Sequence, residues 1–259
     1  MKNYEKTIFK LLVGVVMLCG AMAVFAQQLP EIIWNKVAHN PPNPEFSRTD
    51  SIKFSPDGQL LYAGGGVQFS SQDVGSITTF AAADGTQLDA TSLFFQIAAI
   101  NELTLFANGQ RLATAHNDVA CNAYLTDCKY GYILYDPQTL IRLSVPVTDR
   151  IGVKTIDYSS ADQLLAVGNF LYSNNILILD SNALSVIRTL PGHGGGTFSV
   201  RFSPDGQFLA SGGGDGTVKI WRVSDSSLVR TFNFDPSNDV YSVAFSPDGQ
   251  YIAAADTDY

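Results

Sequence analysis

The string Phe-Ser-Pro-Asp-Gly-Gln stands at Phe54–Gln59, again at Phe202–Gln207 and again at Phe245–Gln250. A short unit copied along one chain constrains the fold more tightly than composition does, because it dictates an array of like modules packed on one another. Degenerate copies fill the gap, at Phe106-Ala107-Asn108-Gly109-Gln110 and from Tyr158 through Asp162 to Gln163. Counted at the final Gln, successive copies lie 51, 53, 44 and 43 residues apart. A four-stranded propeller blade repeats about every 40–45 residues, so the first two intervals each hold an insertion.

The copy from Leu190 to Asn233 shows how one module is built. Phe198, Val200 and Phe202 alternate with Ser199 and Arg201, the period-two pattern of a half-buried strand. Ser203-Pro204-Asp205-Gly206 is a tight turn, with Pro presetting φ and Gly accepting the left-handed conformation. Phe208 to Ala210 is a second strand, Gly212 to Gly216 a second turn, and Thr217 to Trp221 a third strand. Ser224 to Ser227 turns the chain into a fourth, Leu228 to Phe232.

These residues resemble the WD-repeat β-propellers. The matching positions are Gly192-His193, Phe202, Ser203 to Gly206, Leu209 to Gly212, Asp215 and Trp221; Arg222 stands where the family has the Asp of its Trp-Asp pair. The resemblance implies a hydrogen-bonded network inside this blade made of His193, Ser211, Asp215 and Trp221. The other blades fit the same frame with losses. Blade one uses Ile52 to Phe54, Gln59 to Ala63, Ser76 to Phe80 and Gln87 to Leu93, with His39 at the His position and Ala63 at the Ser position. Blade two uses Leu103 to Phe106, Arg111 to Ala115, Gly131 to Asp136 and Leu140 to Val145. Blade three uses Val153 to Tyr158, Gln163 to Val167, Ile176 to Asp180 and Leu184 to Leu190. Tyr135-Asp136 and Leu179-Asp180 take the Trp-Asp place.

The reading is an all-β chain, a β-propeller of four-stranded antiparallel blades over residues 27–259, with about four and a half blades present. The family resemblance implies a ring of about seven blades, of which this is an incomplete part. Blade five offers only Val240 to Phe245 and Gln250 to Ala255, while Ile32 to Val37 reads as an outer strand of the kind that closes such rings. The chain therefore reads as a fragment of a longer frame. The competing reading is a small propeller completed by self-association through open edge strands.

Residues 1–26 read as a secretory signal. Lys2, Lys6 and Lys10 give a basic start, an apolar run follows from Leu11, and Val24-Phe25-Ala26 is a cleavage site. An uncleaved anchor is the alternative, but Leu11 to Ala26 is 16 residues, short of the ~20 that span a bilayer. No other segment reads as membrane-spanning. The net charge of −8 becomes −10 once three Lys and one Glu leave with the signal. An acidic surface repels phosphate backbones, which excludes nucleic acid as the expected partner. Export to the periplasm, cell surface or medium permits a disulfide between Cys121 and Cys128, with free thiols as the other reading.

Two features invite a catalytic reading and fail it. His193, Ser211 and Asp215 form a Ser-His-Asp trio, but they fall on the family's structural network and no Gly-x-Ser-x-Gly accompanies them. His116, followed by Asn117-Asp118, reads as a surface-loop histidine. No metal set or cofactor motif stands out: the glycine triplets lack the Lys-Ser/Thr of a phosphate loop, and Asp256 and Asp258 lack the further oxygens of a calcium loop.

The insertions carry the functional expectation. Both lie between a blade's second and third strands, as Gly66 to Gly75 and Asn117 to Lys129. Loops on a rigid scaffold carry function more often than strands do, so Val67, Phe69, Asp73, Asn117, Asp118 and Tyr124 are candidate binding residues; neutral decoration is the other reading. The inner strands begin at Asp50, Asn101, Lys154, Thr197 and Asp239, a mixed set. The expected function is an exported scaffold that binds a protein partner through its loop-rich face. The alternative is a propeller enzyme of lactonase or hydrolase type, with its site in the central channel.

Overall fold

The computed structural model describes residues 46–69, 72–92, 100–106, 109–120, 129–144, 152–169 and 175–257. The leader, Ile32 to Val37, His39, Cys121, Tyr124 and Cys128 lie outside them. Among the described residues every regular element is a strand. Blade one is β1 (Phe46–Phe54), β2 (Leu60–Phe69), β3 (Gln72–Ala81) and β4 (Gln87–Ser92). Blade two is β5 (Ile100–Phe106), β6 (Arg111–Ala120), β7 (Lys129–Tyr135) and β8 (Arg142–Ser144). Blade three is β9 (Val153–Ser159), β10 (Leu164–Asn169), β11 (Ile176–Asp180) and β12 (Val186–Leu190). Blade four is β13 (Thr197–Phe202), β14 (Phe208–Gly213), β15 (Thr217–Arg222) and β16 (Leu228–Asn233). A two-stranded sheet follows, β17 (Val240–Phe245) and β18 (Ile252–Asp256).

Every sheet is an antiparallel meander in which each strand pairs with its neighbours in sequence. The first strands, β1, β5, β9, β13 and β17, pack against one another in succession. The blades are thus arrayed around their first strands, the architecture read from the repeat. The Ser-Pro-Asp-Gly turns explain why one string recurs. In each, the Asp carboxylate accepts the Ser hydroxyl and the N–H of the following Gln: 2.5 and 3.0 Å at Asp57, 2.6 and 3.0 Å at Asp205, 2.5 and 3.0 Å at Asp248. The glycine takes φ of 70°, 75° and 71° at Gly58, Gly206 and Gly249, a conformation that costs other residues energy.

The apolar cores lie between blades. Phe106, Tyr132 and Leu134 of blade two pack with Ile156, Leu165 and Leu179 of blade three. Ile176, Ile178 and Leu190 of blade three pack with Val200, Phe202 and Trp221 of blade four. Tyr62 and Ile77 of blade one pack with Ile100, Leu112 and Tyr135 of blade two. Ala210, Val218 and Ile220 of blade four meet Val240 and Val243. No blade buries its faces alone, which is the energetic meaning of a repeat fold.

A second seam joins the blades near the axis. A first strand has a ladder partner on one side only, and one of its N–H groups is received by the preceding blade. Leu103 N–H donates to Ser51 Oγ at 3.1 Å, Ile156 to Glu102 Oε2 at 3.0 Å, Val200 to Thr155 Oγ1 at 3.1 Å and Val243 to Ser199 Oγ at 3.2 Å. In strand register Ser51, Glu102, Thr155 and Ser199 are the same position, and so are Leu103, Ile156, Val200 and Val243. One bond therefore recurs at all four junctions between described blades.

Three expectations are corrected. The described parts of the insertions are strand: β2 runs on to Phe69 and β3 starts at Gln72, while β6 runs to Ala120 and β7 starts at Lys129. Continuing a ladder satisfies backbone groups that a loop would leave to water. Val67, Phe69, Asp73, Asn117 and Asp118 are therefore strand positions. Blade two is also one residue out of phase with the string, since Phe106 pairs with Arg111 and so stands at the turn-serine place. The turn itself keeps its length, since Gly109 N–H reaches Phe106 O just as Gly206 N–H reaches Ser203 O. The fourth strand of blade two is brief, Arg142–Ser144, rather than beginning at Leu140.

Replacing Ser199 by Ala removes the acceptor for Val243 and leaves a buried N–H unpaired. The expected loss is about 1–3 kcal/mol of unfolding free energy, read from chemical denaturation; a change below a few tenths would show that the seam carries no load.

Candidate interaction site at the propeller axis

The strand ladders slip at the same point in all five sheets, where the first strand has one residue more than its partner. The slips fall between Thr49 and Ser51, Ile100 and Glu102, Val153 and Thr155, Thr197 and Ser199, and Val240 and Ser242. A bulge of this kind releases one residue from the ladder and re-aims its side chain. The released residues are Asp50, Asn101, Lys154, Phe198 and Tyr241. Strand direction puts them at the end of the axis shared with the β2–β3 and β6–β7 hairpins, opposite the Ser-Pro-Asp-Gly turns. The sequence reading put Thr197 and Asp239 in this set; the bulges substitute Phe198 and Tyr241, because the extra residue comes one step after Thr197 and two after Asp239.

The five residues line one cavity of about 620 Å³, with Arg201 beneath them. Lys154 Nζ donates to Asn101 Oδ1 at 3.3 Å. The Phe198 and Tyr241 rings tilt together with centroids 4.7 Å apart, and Tyr241 stays 47% exposed. Its hydroxyl donates to Asp239 Oδ2 at 3.3 Å. Deeper in, Glu102 also accepts the Thr155 hydroxyl at 2.5 Å and pairs with Arg201. That pair links blades two and four across blade three, so both charges are neutralised by each other. What the cavity presents to solvent is an acid, an amide, an amine and two aromatic faces. Among the described residues no group of three or more His, Cys, Asp or Glu converges in a way that holds a metal ion.

The structure brings His193, Ser211, Asp215 and Trp221 together, away from this cavity. Trp221 Nε1–H donates to Ser211 Oγ at 2.9 Å, Ser211 Oγ lies 2.7 Å from His193 Nε2, and His193 Nδ1 lies 2.8 Å from Asp215 Oδ1. A neutral imidazole satisfies every group: Nδ1–H donates to the carboxylate, and Nε2 accepts the serine hydroxyl, whose oxygen receives the indole. Burial pushes the His193 pKa below its ordinary 6.5, against the pull of Asp215, so the contact is a hydrogen bond of a neutral ring rather than an ion pair. Burial pushes Asp215 up, but bonds from Thr217, Gly194, His193 and Lys219 outweigh it and hold the carboxyl far below its ordinary range. Lys219 Nζ ties the cluster to Gly192 O at 2.8 Å. The serine hydroxyl is fully buried and spent within the network, so the trio cannot act as a nucleophile on solvent-borne substrate.

His116 is not in a surface loop. It sits within β6 and is buried, with Nε2 2.7 Å from Thr114 Oγ1. Thr114 holds the register place of Ser211, and His116 that of Gly213. A side chain at Gly213 would run into the His193 ring. One blade thus brings its histidine from the connecting segment over a glycine, and the other mounts it on the strand itself. Ala63 and Val167 fill the Ser211 place in blades one and three.

Both titrations point the same way. With its folded pKa depressed, His193 contributes stability that is complete above 6.5 and is lost as pH falls through that value toward the folded one; Asp215 adds a second loss below about 4. His193→Ala is expected to cost about 1–3 kcal/mol and to flatten the decline in melting temperature just below pH 6.5. An unchanged pH profile in that variant would refute the neutral network.

The WD domain, G-beta repeat family model matches residues 184–222 and 226–259, which cover blade four and the sheet that follows it. The chain is 27% identical over 157 residues to a guanine nucleotide-binding protein subunit beta of Saccharomyces cerevisiae, covering 50% of this chain and 36% of the relative. It is 35% identical over 68 residues to eukaryotic translation initiation factor 3 subunit I of Phaeosphaeria nodorum, 26% of this chain and 20% of that one. Over 41 residues it is 49% identical to WD repeat-containing protein 1 of Gallus gallus, 16% of this chain and 7% of the relative. The chain thus spans about a third or less of the length of these relatives. Repeat matches, relatives and the common register of the sheets agree that the chain carries WD repeats and is built of β-propeller blades of that type.

Proposed function

We propose that this chain is a scaffold that binds a protein partner at the axial mouth. The observation that carries the reading is the bulge repeated in every first strand. It presents five side chains of five chemistries on successive first strands, whereas a reaction centre needs a converging acid–base set. Phe198 and Tyr241 supply the large, rigid aromatic area that dominates protein contacts, and Asp50, Asn101 and Lys154 give polar registration. The cavity of about 620 Å³ accommodates one or two side chains of an inserted segment. Two of the matched relatives are named as subunits, which supports an assembly role.

Peptide display against the purified protein tests this directly. Selected peptides should bind the wild-type chain and lose roughly tenfold or more in affinity against Tyr241→Ala. Peptides that bind both forms equally would place the interaction elsewhere.

The scaffold is further proposed to work outside the cytoplasm. Lys2, Lys6 and Lys10, the apolar run after them and Val24-Phe25-Ala26 support cleavage after Ala26, and an oxidising compartment would join Cys121 to Cys128. The mass of the secreted protein should match a chain starting at Gln27 and two hydrogens short of the dithiol form. A chain retaining its first ten residues would refute export by this route.

A further inference from the structure

The turn between the third and fourth strands of each blade must satisfy its own N–H groups, and the blades do this in two ways. In blade two, Asp136 Oδ1 accepts the N–H of Gln138 at 3.0 Å and of Thr139 at 2.9 Å. In blade three, Asp180 Oδ1 accepts those of Asn182 at 2.9 Å and Ala183 at 2.7 Å. The register place of these acids is held by Arg222 in blade four. There the duty passes to Asp225, whose Oδ1 accepts Ser227 N–H at 3.0 Å and Ser227 O–H at 2.7 Å. Blade one shows the same alternative, with Asp84 accepting Thr86 N–H at 2.8 Å and Ala81 at the vacated place. The turn does not need Arg222, then. It holds only a long, solvent-exposed pairing to Asp225, Nη1 to Oδ2 at 3.6 Å, and such a pair is worth little.

Arg222 borders a groove of about 480 Å³ between blades three and four, on the face opposite the axial mouth. Arg188 of β12 borders the same groove, and Leu164, Phe208 and Val223 form an apolar floor. Asp162 is the one acid among the lining residues, and its Oδ2 is turned onto Gly206, where even an added Cβ would lie 2.7 Å away. The groove therefore presents two guanidiniums over apolar surface in a chain of net charge −8. Guanidinium is the group best suited to carboxylate.

We infer that this groove binds an acidic, amphipathic segment of a protein partner, with a carboxylate held by Arg222 and Arg188 and an adjacent apolar side chain on the Leu164–Phe208–Val223 floor. The site is separate from the axial mouth and stands or falls independently of it. The test is fluorescence anisotropy at physiological salt with a labelled octapeptide that alternates Glu with Phe and Leu. Arg222→Asp restores the acid that blades two and three carry there, so it keeps the fold; equal thermal melting checks this, and Arg188→Gln gives a second, milder reading. The wild-type protein and Tyr241→Ala should bind alike, while Arg222→Asp, Arg188→Gln and a peptide with Gln for Glu should each lose roughly tenfold. Equal binding by Arg222→Asp and wild type, or by the Gln and Glu peptides, would overturn the inference. A phosphoserine version that binds roughly tenfold more tightly than the Glu peptide would also overturn it, by reassigning the groove to phosphate.

Discussion

The bond from one blade's side chain to the next blade's first-strand N–H is what the arrangement of sheets depends on. A four-stranded meander is complete in its own ladder and says nothing about where its neighbour sits. Apolar cores between blades bring sheets together, but hydrophobic contact is not directional. The bonds accepted by Ser51, Glu102, Thr155 and Ser199 are directional, and they set each first strand against the previous one at the same register position; β13 adds a second, from Phe202 N–H to Asp157 Oδ2 at 2.9 Å. Glu102 shows the constraint most clearly. A carboxylate in a place that elsewhere holds a hydroxyl brings a charge into a mostly buried seam, which is costly unless paired; Arg201 from two blades on supplies the pairing. The seam tolerated a larger, charged acceptor because the geometry of the bond was preserved.

The same seam explains the axial mouth. The residue that accepts at a junction stands immediately after the bulge in its own strand, so one register position sets both the seam bond and the released side chain. The residue lost from the ladder is placed by the backbone and not by a shared side-chain role. Asp50, Asn101, Lys154, Phe198 and Tyr241 accordingly differ widely in size and charge while keeping one register position.

Legibility follows the same division. The strands of blade four, its turns and the His193–Trp221 group could be read because one residue type at one offset does each job, and a turn that needs left-handed backbone advertises it with glycine. The seam acceptors could also have been found, since Ser51, Thr155 and Ser199, like Ser242 at the same register in the last sheet, each stand four residues before a turn serine; Glu102 hides the pattern by changing chemistry. The bulges were not legible. An extra residue in a strand leaves no mark in a period-two pattern only a few residues long, so the axial set was misjudged at Thr197 and Asp239. His116 was misjudged because a histidine beside Asn-Asp looks like a loop, whereas continuation of β6 past it depends on pairing with a strand more than ten residues away.

Redundancy among blades is what lets such positions drift. In a fold with one copy of each turn, an Asp that caps backbone N–H groups is held in place by what its loss would cost. Here two capping solutions coexist, one with the acid at the strand end as at Asp136 and Asp180, the other with the acid three residues on as at Asp84 and Asp225. Once the second solution is in use, the strand-end position is released, and it holds Ala81 in one blade and Arg222 in another. The histidine network behaves alike, mounted on a connecting segment at His193 and on a strand at His116. Where two local solutions to one polar problem are interchangeable, the residue freed by choosing one of them is available for recognition. Arg222 is such a residue, and its place on the wall of a groove gives that freedom a surface to act on.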